Sequence, residues 1–110
     1  MMRSNIGTAG VKQWAVADNV FSAAGEVTVN PTLPGGGTGR PVKIRASGNV
    51  SGWATLNIGA QSQIVILINP NAPYTEEAIP ASAFPGVVGS VPVELNASAA
   101  GTLVVSVGFA

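Results

Sequence analysis

The sequence predicts an all-β fold: a single-domain antiparallel β-sandwich, jelly-roll-like or Ig-like, with about seven to eight strands. Three observations predict it. Apolar and polar residues alternate with period two in short segments that recur about every ten residues. Gly, Pro, Asn and Ser punctuate the intervals, with 14 Gly and 8 Pro in 110 residues. The length suits one domain, and folding hides roughly 65% of the extended surface of such a chain, enough for a core without staples.

The segments follow in order. Residues 1–12 read as an N-terminal arm that Gly7 and Gly10 keep flexible, and residues 13–110 as the sandwich. Segment one is roughly Gln13–Val20, with Trp14 and Val16 in a phase the pattern leaves open. Segment two is Glu26–Asn30, where Val27 and Val29 share a face and Thr28 takes the other. In segment three, Pro41–Ser47, Val42, Ile44 and Ala46 oppose Lys43 and Arg45. In segment four, Val50–Ile58, Ala54, Leu56 and Ile58 oppose Trp53, Thr55 and Asn57. Segment five, Gln63–Asn69, is apolar on both faces and reads as a central strand. Segment six runs near Val87–Leu95, with Val91, Val93 and Leu95 inward and Glu94 outward; Pro92 favours an edge or a bulge there. Segment seven, Thr102–Phe109, turns Leu103, Val105, Val107 and Phe109 to one face.

The connections carry their own signals. Ser47–Gly48–Asn49 reads as a tight turn, Gly59–Ser62 as the link from four to five, and Asn96–Gly101 as the link from six to seven. Pro34–Gly39 reads as a mobile loop. In the long gap from Pro70 to Pro85, Thr75 is placed to cap one helical turn with Glu76 and Glu77 near its positive end. Gly52 and Gly108 mark bulges or close approaches. Lys43 and Arg45 are placed to guard an edge.

Composition excludes several kinds of chemistry. With no Cys and no His, the chain has no disulfide, no thiolate zinc site, no imidazole ligand and no Ser–His nucleophile. Five basic and five acidic residues cancel, and charged residues make up 9%. Nucleic-acid binding rests on many phosphate contacts, so nucleic acid is not an expected partner. The apolar run Ile64–Ile68 is far shorter than the roughly 20 residues of a membrane helix, and no signal-like apolar run follows Arg3. A neutral, weakly charged surface favours association, which points to a role inside an assembly.

The remaining motifs point to no enzyme and no cofactor. Gly35–Gly36–Gly37–Thr38–Gly39–Arg40 lacks the ending of a phosphate loop, and Pro41 stands where a helix should run. The carboxylates are Asp18, Glu26, Glu76, Glu77 and Glu94. Adjacent Glu76 and Glu77 diverge, while spacing leaves Glu94 with Glu76 or Glu77 open as a pair across a cleft. A Ser–Lys pair with Lys12 or Lys43 has no support in the spacing. Asp18–Asn19 and the group Asn69, Asn71, Glu76 and Glu77 offer oxygens to calcium, without an EF-hand run, so no metal site is assigned. The interface anchors expected from the sequence are Trp14, Trp53, Tyr74 and Phe84. The ionic contacts expected are Arg40, Lys43 and Arg45, read as one basic cluster. Trp53 and Tyr74 are also the candidate platform for stacking a sugar.

In style the chain resembles the small capsid decoration, or cement, proteins that stabilise the heads of tailed phages. The features that carry the resemblance are the short length, the lack of Cys and His, the Val/Ala/Gly/Thr/Asn-rich strands, the Pro34–Gly39 loop and a C-terminus within a strand at Phe109–Ala110. The resemblance implies a non-enzymatic homo-oligomer, a trimer in particular, seated on a major capsid or other shell protein at the virion surface. It also implies a docking arm, for which Met1–Lys12 is the candidate. The alternative is an extracellular carbohydrate-binding or receptor-binding module that uses exposed aromatics.

Overall fold

A computed structural model describes residues 10–58, 62–84 and 86–110. Eight strands carry the fold: β1 (Gln13–Phe21), β2 (Gly25–Val29), β3 (Pro41–Gly48), β4 (Gly52–Asn57), β5 (Gln63–Ile68), β6 (Thr75–Ala78), β7 (Val93–Ala97) and β8 (Gly101–Phe109). All pairings are antiparallel: β1 with β8, β2 with β7, β3 with β6 and β4 with β5. That nesting describes one long ribbon folded back at the β4–β5 hairpin. Rolling the ribbon sets β8 beside β3 and β7 beside β4. Two sheets result, sheet I in the order β1-β8-β3-β6 and sheet II in the order β2-β7-β4-β5. An eight-stranded double sheet of this order is a jelly roll, which decides between the two sandwich types the sequence left open.

The core lies between the sheets, where the period-two pattern puts it. On central β8, Leu103, Val105, Val107 and Phe109 are all sealed from solvent. They meet Ile44 and Ala46 of β3, Ala54 and Leu56 of β4, Val93 and Leu95 of β7, and Ile66 and Ile68 of β5. Each Val, Leu, Ile or Phe side chain among them contributes about 1.5–3 kcal/mol by leaving water. Segment one resolves with Ala15 and Phe21 inward, so Trp14, Val16, Asp18 and Val20 face out. Thr55 is buried although its phase is outward.

Four readings of the sequence are corrected. Segment five is not central: β5 is the edge of sheet II and pairs with β4 alone. Residues Thr75–Ala78 form β6 rather than a helical turn. Glu76 lies opposite Arg45 in the ladder, and cross-strand ion pairing outweighs the weak local preference for a helix start. β6 also covers β3, so Lys43 and Arg45 stand inside sheet I and guard no edge. Segment six begins later than its pattern, at Val93, because Pro92 lacks the N–H that a strand paired on both sides requires. The residues before it make only the isolated bridges Gly39–Val88 and Thr32–Ser90.

The glycine loop is tethered. Pro34–Gly36 make a 3-10 turn in which Gly35 and Gly36 take φ of 67° and 74°, a left-handed backbone that suits glycine. Gly39 and Val88 then exchange two backbone hydrogen bonds of 2.9 Å. Of the arm, residues 1–9 lie outside the described residues, as do 59–61 of the β4–β5 link. Lys12 is already part of the fold, its N–H donating to the Phe109 carbonyl at 2.8 Å.

Candidate functional site

The outer face of sheet II has an acidic side and an apolar side. The register aligns Glu26, Asn96, Trp53 and Leu67 in one row, and Thr28, Glu94, Thr55 and Val65 in the next. Toward the β5 edge the face is apolar and open: Leu67 is 71% exposed, Val65 49% and Trp53 41%. Trp53 is held in place. Its indole N–H donates to the Asn96 side-chain oxygen at 3.1 Å, and the Asn96 nitrogen donates to Glu26 Oε2 at 3.2 Å. Beside the ring is a shallow recess of about 370 Å³, with Leu67, Ile68 and Pro70 among its walls and Ser51, Asn69 and Ser98 among its polar lining. The Ser51 and Ser98 hydroxyls hydrogen-bond each other at 2.7 Å. The recess is therefore mainly apolar and suits a hydrophobic side chain.

The outer face of sheet I is built around Arg45. Its guanidinium lies over the Trp14 ring at 4.1 Å from the centroid and over the Tyr74 ring at 4.7 Å. Glu76 accepts hydrogen bonds from Arg45 Nε and, at 3.1 Å, from Lys43 Nζ. The Arg45 bond above all, with help from Lys43, holds the Glu76 carboxyl below the usual carboxylate range; partial burial pulls the other way. Gly108 makes the stack possible, because a side chain there would meet Trp14 Cη2 and Val11. The group ties β1, β3 and β6 together across β8. Along β1, Val16 and Val20 stand out into solvent, 61% and 76% exposed, as two apolar side chains on either side of exposed Asp18.

The structure thus brings together some expected residues and separates others. Trp14, Tyr74, Lys43 and Arg45 share one face. Trp53 lies on the opposite face, so Trp53 and Tyr74 form no common platform. Arg40 leaves the basic cluster and lines a second recess of about 290 Å³ with Gly86, Val87 and Ala110. Phe84 is partly buried against the core. Glu94 and Glu76 lie on opposite sheets and do not face each other across a cleft. Of the oxygens considered for calcium, those of Glu76 are engaged by two cations, and Asn69 Oδ1 accepts the Asn71 N–H at 2.9 Å. Among the described residues, no three His, Cys, Asp or Glu side chains are grouped to hold a metal ion. Sequence reasoning missed Val65, Leu67, Val16 and Val20 as surface residues. The signal was present in segment five, whose two apolar faces include one that this fold leaves open.

No protein-family model, curated protein or solved structure matches this chain.

Proposed function

We propose that this chain is a non-enzymatic structural protein of a virus particle, which binds the capsid surface and its own copies and so stabilises the shell. One observation carries the reading: the jelly roll exposes large apolar side chains on both outer faces, a patch of Trp53, Val65 and Leu67 on one and, flanking Asp18, Val16 and Val20 on the other. Two separated adhesive faces let one molecule engage two neighbours at once. Exposed apolar groups rimmed by polar ones mark interaction sites on soluble domains. A weakly charged surface makes such contact less dependent on salt than a charge-steered pair. Virus coats are among the settings in which jelly rolls recur, which agrees with the resemblance in style. The test is the solution mass by light scattering over about 10 µM to 1 mM, together with binding to the shell protein of the source particle. A closed oligomer or saturable shell binding supports the reading. A strict 11.0 kDa monomer with no affinity for the shell overturns it.

Trp53 favours a second reading, a carbohydrate-binding or receptor-binding module. Its ring is oriented by Asn96 beside an open recess, as a stacking surface requires. A saturable change in Trp53 emission on adding a glycan supports that module. Indifference to a broad glycan panel removes it.

A further inference from the structure

We propose that two copies of this chain join through their β5 edges, antiparallel about a twofold axis at Ile66, into one continuous eight-stranded sheet. The inference rests on the adhesive reading above and names its partner as a second copy.

The hydrogen-bonding phase of β5 is fixed from both sides of β4. Ile58 N–H donates to the Ser62 carbonyl at 2.9 Å, and Ser98 N–H donates to the Ser51 carbonyl at 3.0 Å. Antiparallel ladders alternate between bonded and non-bonded pairs. Even-numbered residues of β4 therefore bond toward β5, and odd-numbered ones toward β7. On β5, Ile64, Ile66 and Ile68 bond inward to β4, so the N–H and C=O groups of Gln63, Val65 and Leu67 point to the open edge. Among the described residues, no other strand pairs there.

Charge selects this edge from the four. β1 carries Asp18, β2 carries Glu26, and β6 carries Glu77 beside the cation-paired Glu76, so self-pairing at any of them gathers carboxylates. β5 carries no charge and no proline, the usual protections of an edge. The acidic residues of sheet II lie on β2 and β7, at least two strands back from the edge. Across the joint, the nearest Glu94 pair is separated by roughly 24 Å at normal strand spacing, well beyond the screening length of about 8 Å.

The sequence of β5 selects the register. A continuous sheet requires outward residues to oppose outward ones. With Ile66 on the axis, Val65 opposes Leu67 of the second copy, and Ile64 opposes Ile68. Every pair is apolar, and about four backbone hydrogen bonds form. The outer row Trp53–Leu67 then runs on into Val65 of the second copy. The alternative, with Val65 on the axis, sets Gln63 against Leu67. A six-residue edge with these side chains buries less than the roughly 1,600 Å² of a standard interface, so the association belongs to the weak, reversible class, with Kd of about tens of micromolar.

The chain has no cysteine, so introduced thiols report cleanly. Opposed residues in a bonded pair lie about 5.5 Å apart at Cα, within disulfide reach. An oxidised equimolar mixture of Val65→Cys and Leu67→Cys chains should give a covalent heterodimer, and each variant alone should give little. Leu67→Lys should shift the light-scattering mass from twice 11.0 kDa to 11.0 kDa with unchanged thermal unfolding. Cross-linking of Val65→Cys with itself overturns the register. A wild-type trimer, or a dimer that neither cross-links in the mixture nor responds to Leu67→Lys, overturns the edge pairing and leaves the adhesive reading standing. A wild-type monomer that still binds the shell overturns the pairing alone. A monomer that binds no shell overturns both.

Discussion

Gly52→Ala tests the structure where the fold and the Trp53 site meet. Gly52 opens β4, faces the core and sits opposite Ala97 of β7. A Cβ at this position collides with the Asn96 carbonyl oxygen, with the carbonyl carbon 3.1 Å away and Leu103 Cδ1 at 3.2 Å. The oxygen belongs to the backbone of an interior strand, so no side-chain rotation relieves the clash. β4 and β7 must separate, or Asn96 must tilt out of the ladder. Overpacking of this kind costs about 1–3 kcal/mol, and a backbone obstacle sets it at the upper end. About 3 kcal/mol lowers Tm by roughly 12 °C in a domain of this size. The assay is thermal unfolding followed by far-UV circular dichroism, with Trp53 emission recorded in parallel, since the same shift loosens the Asn96 bond to the indole. Gly86→Ala is the control: its added Cβ meets nothing within 4 Å, and Tm should stay within about 2 °C. If Gly52→Ala melts within about 2 °C of the parent, β4 and β7 do not approach as described and the argument fails.

Three further outcomes follow from the outer faces. Asn96→Ala, made in a Trp14→Phe background, should raise acrylamide quenching of Trp53 and cost about 0.5–1.5 kcal/mol; unchanged quenching would show that Asn96 does not orient the ring. Trp14→Ala removes the ring that covers Gly108 and stacks on Arg45, and should cost about 1–3 kcal/mol in chemical denaturation; a change below about 0.5 kcal/mol would place the ring elsewhere. Glu76 has its folded pKa depressed, first by the Arg45 hydrogen bond, so its contribution is fully present above the unfolded carboxylate pKa and is lost as pH falls through the folded one. Glu76→Gln should therefore lower stability by about 0.5–1 kcal/mol at neutral pH, a modest figure because Arg45 is partly exposed, and flatten the acid limb of the Tm–pH curve; parallel curves for the two proteins would refute the link.

The parts of the fold legible in the sequence are those set by local alternation. β8 has Leu103, Val105, Val107 and Phe109 in one phase with small residues between them, and its burial follows the pattern closely. β3 and β4 follow their patterns except at Val42, which lies at the register shift outside the core, and at Thr55, which is buried against its phase. The failures are long-range. Thr75–Glu76–Glu77–Ala78 carries a helix-start signal locally, and its backbone pairing along β3, with Lys43 and Arg45 gripping Glu76, makes it a strand. Strand order decides which face each aromatic joins, and strand order is not a local property. Trp53 was legible as facing away from the core; that Tyr74 sits on the opposite sheet, with Arg45 over its ring, was not. Arg40 lies before β3, its carbonyl accepting the Ala110 N–H, and stands beside Gly86 and Val87 rather than with Lys43 and Arg45.

β5 exposes the deeper reason sequence and fold diverge. A strand that is apolar on both faces implies two apolar neighbours, and a sequence does not say whether both belong to the same chain. Within this jelly roll, Ile66 and Ile68 find theirs in the core, while Val65 and Leu67 face outward. The rolled ribbon makes β5 an edge, since it follows directly from the hairpin at which the ribbon folds back. Natural edges of this length carry a charge, a proline or a bulge against unwanted pairing. β5 carries none, although the other three edges each have at least one carboxylate. The absence of protection at one edge of four is therefore specific to β5, and it is the observation on which the proposed pairing of two β5 edges rests.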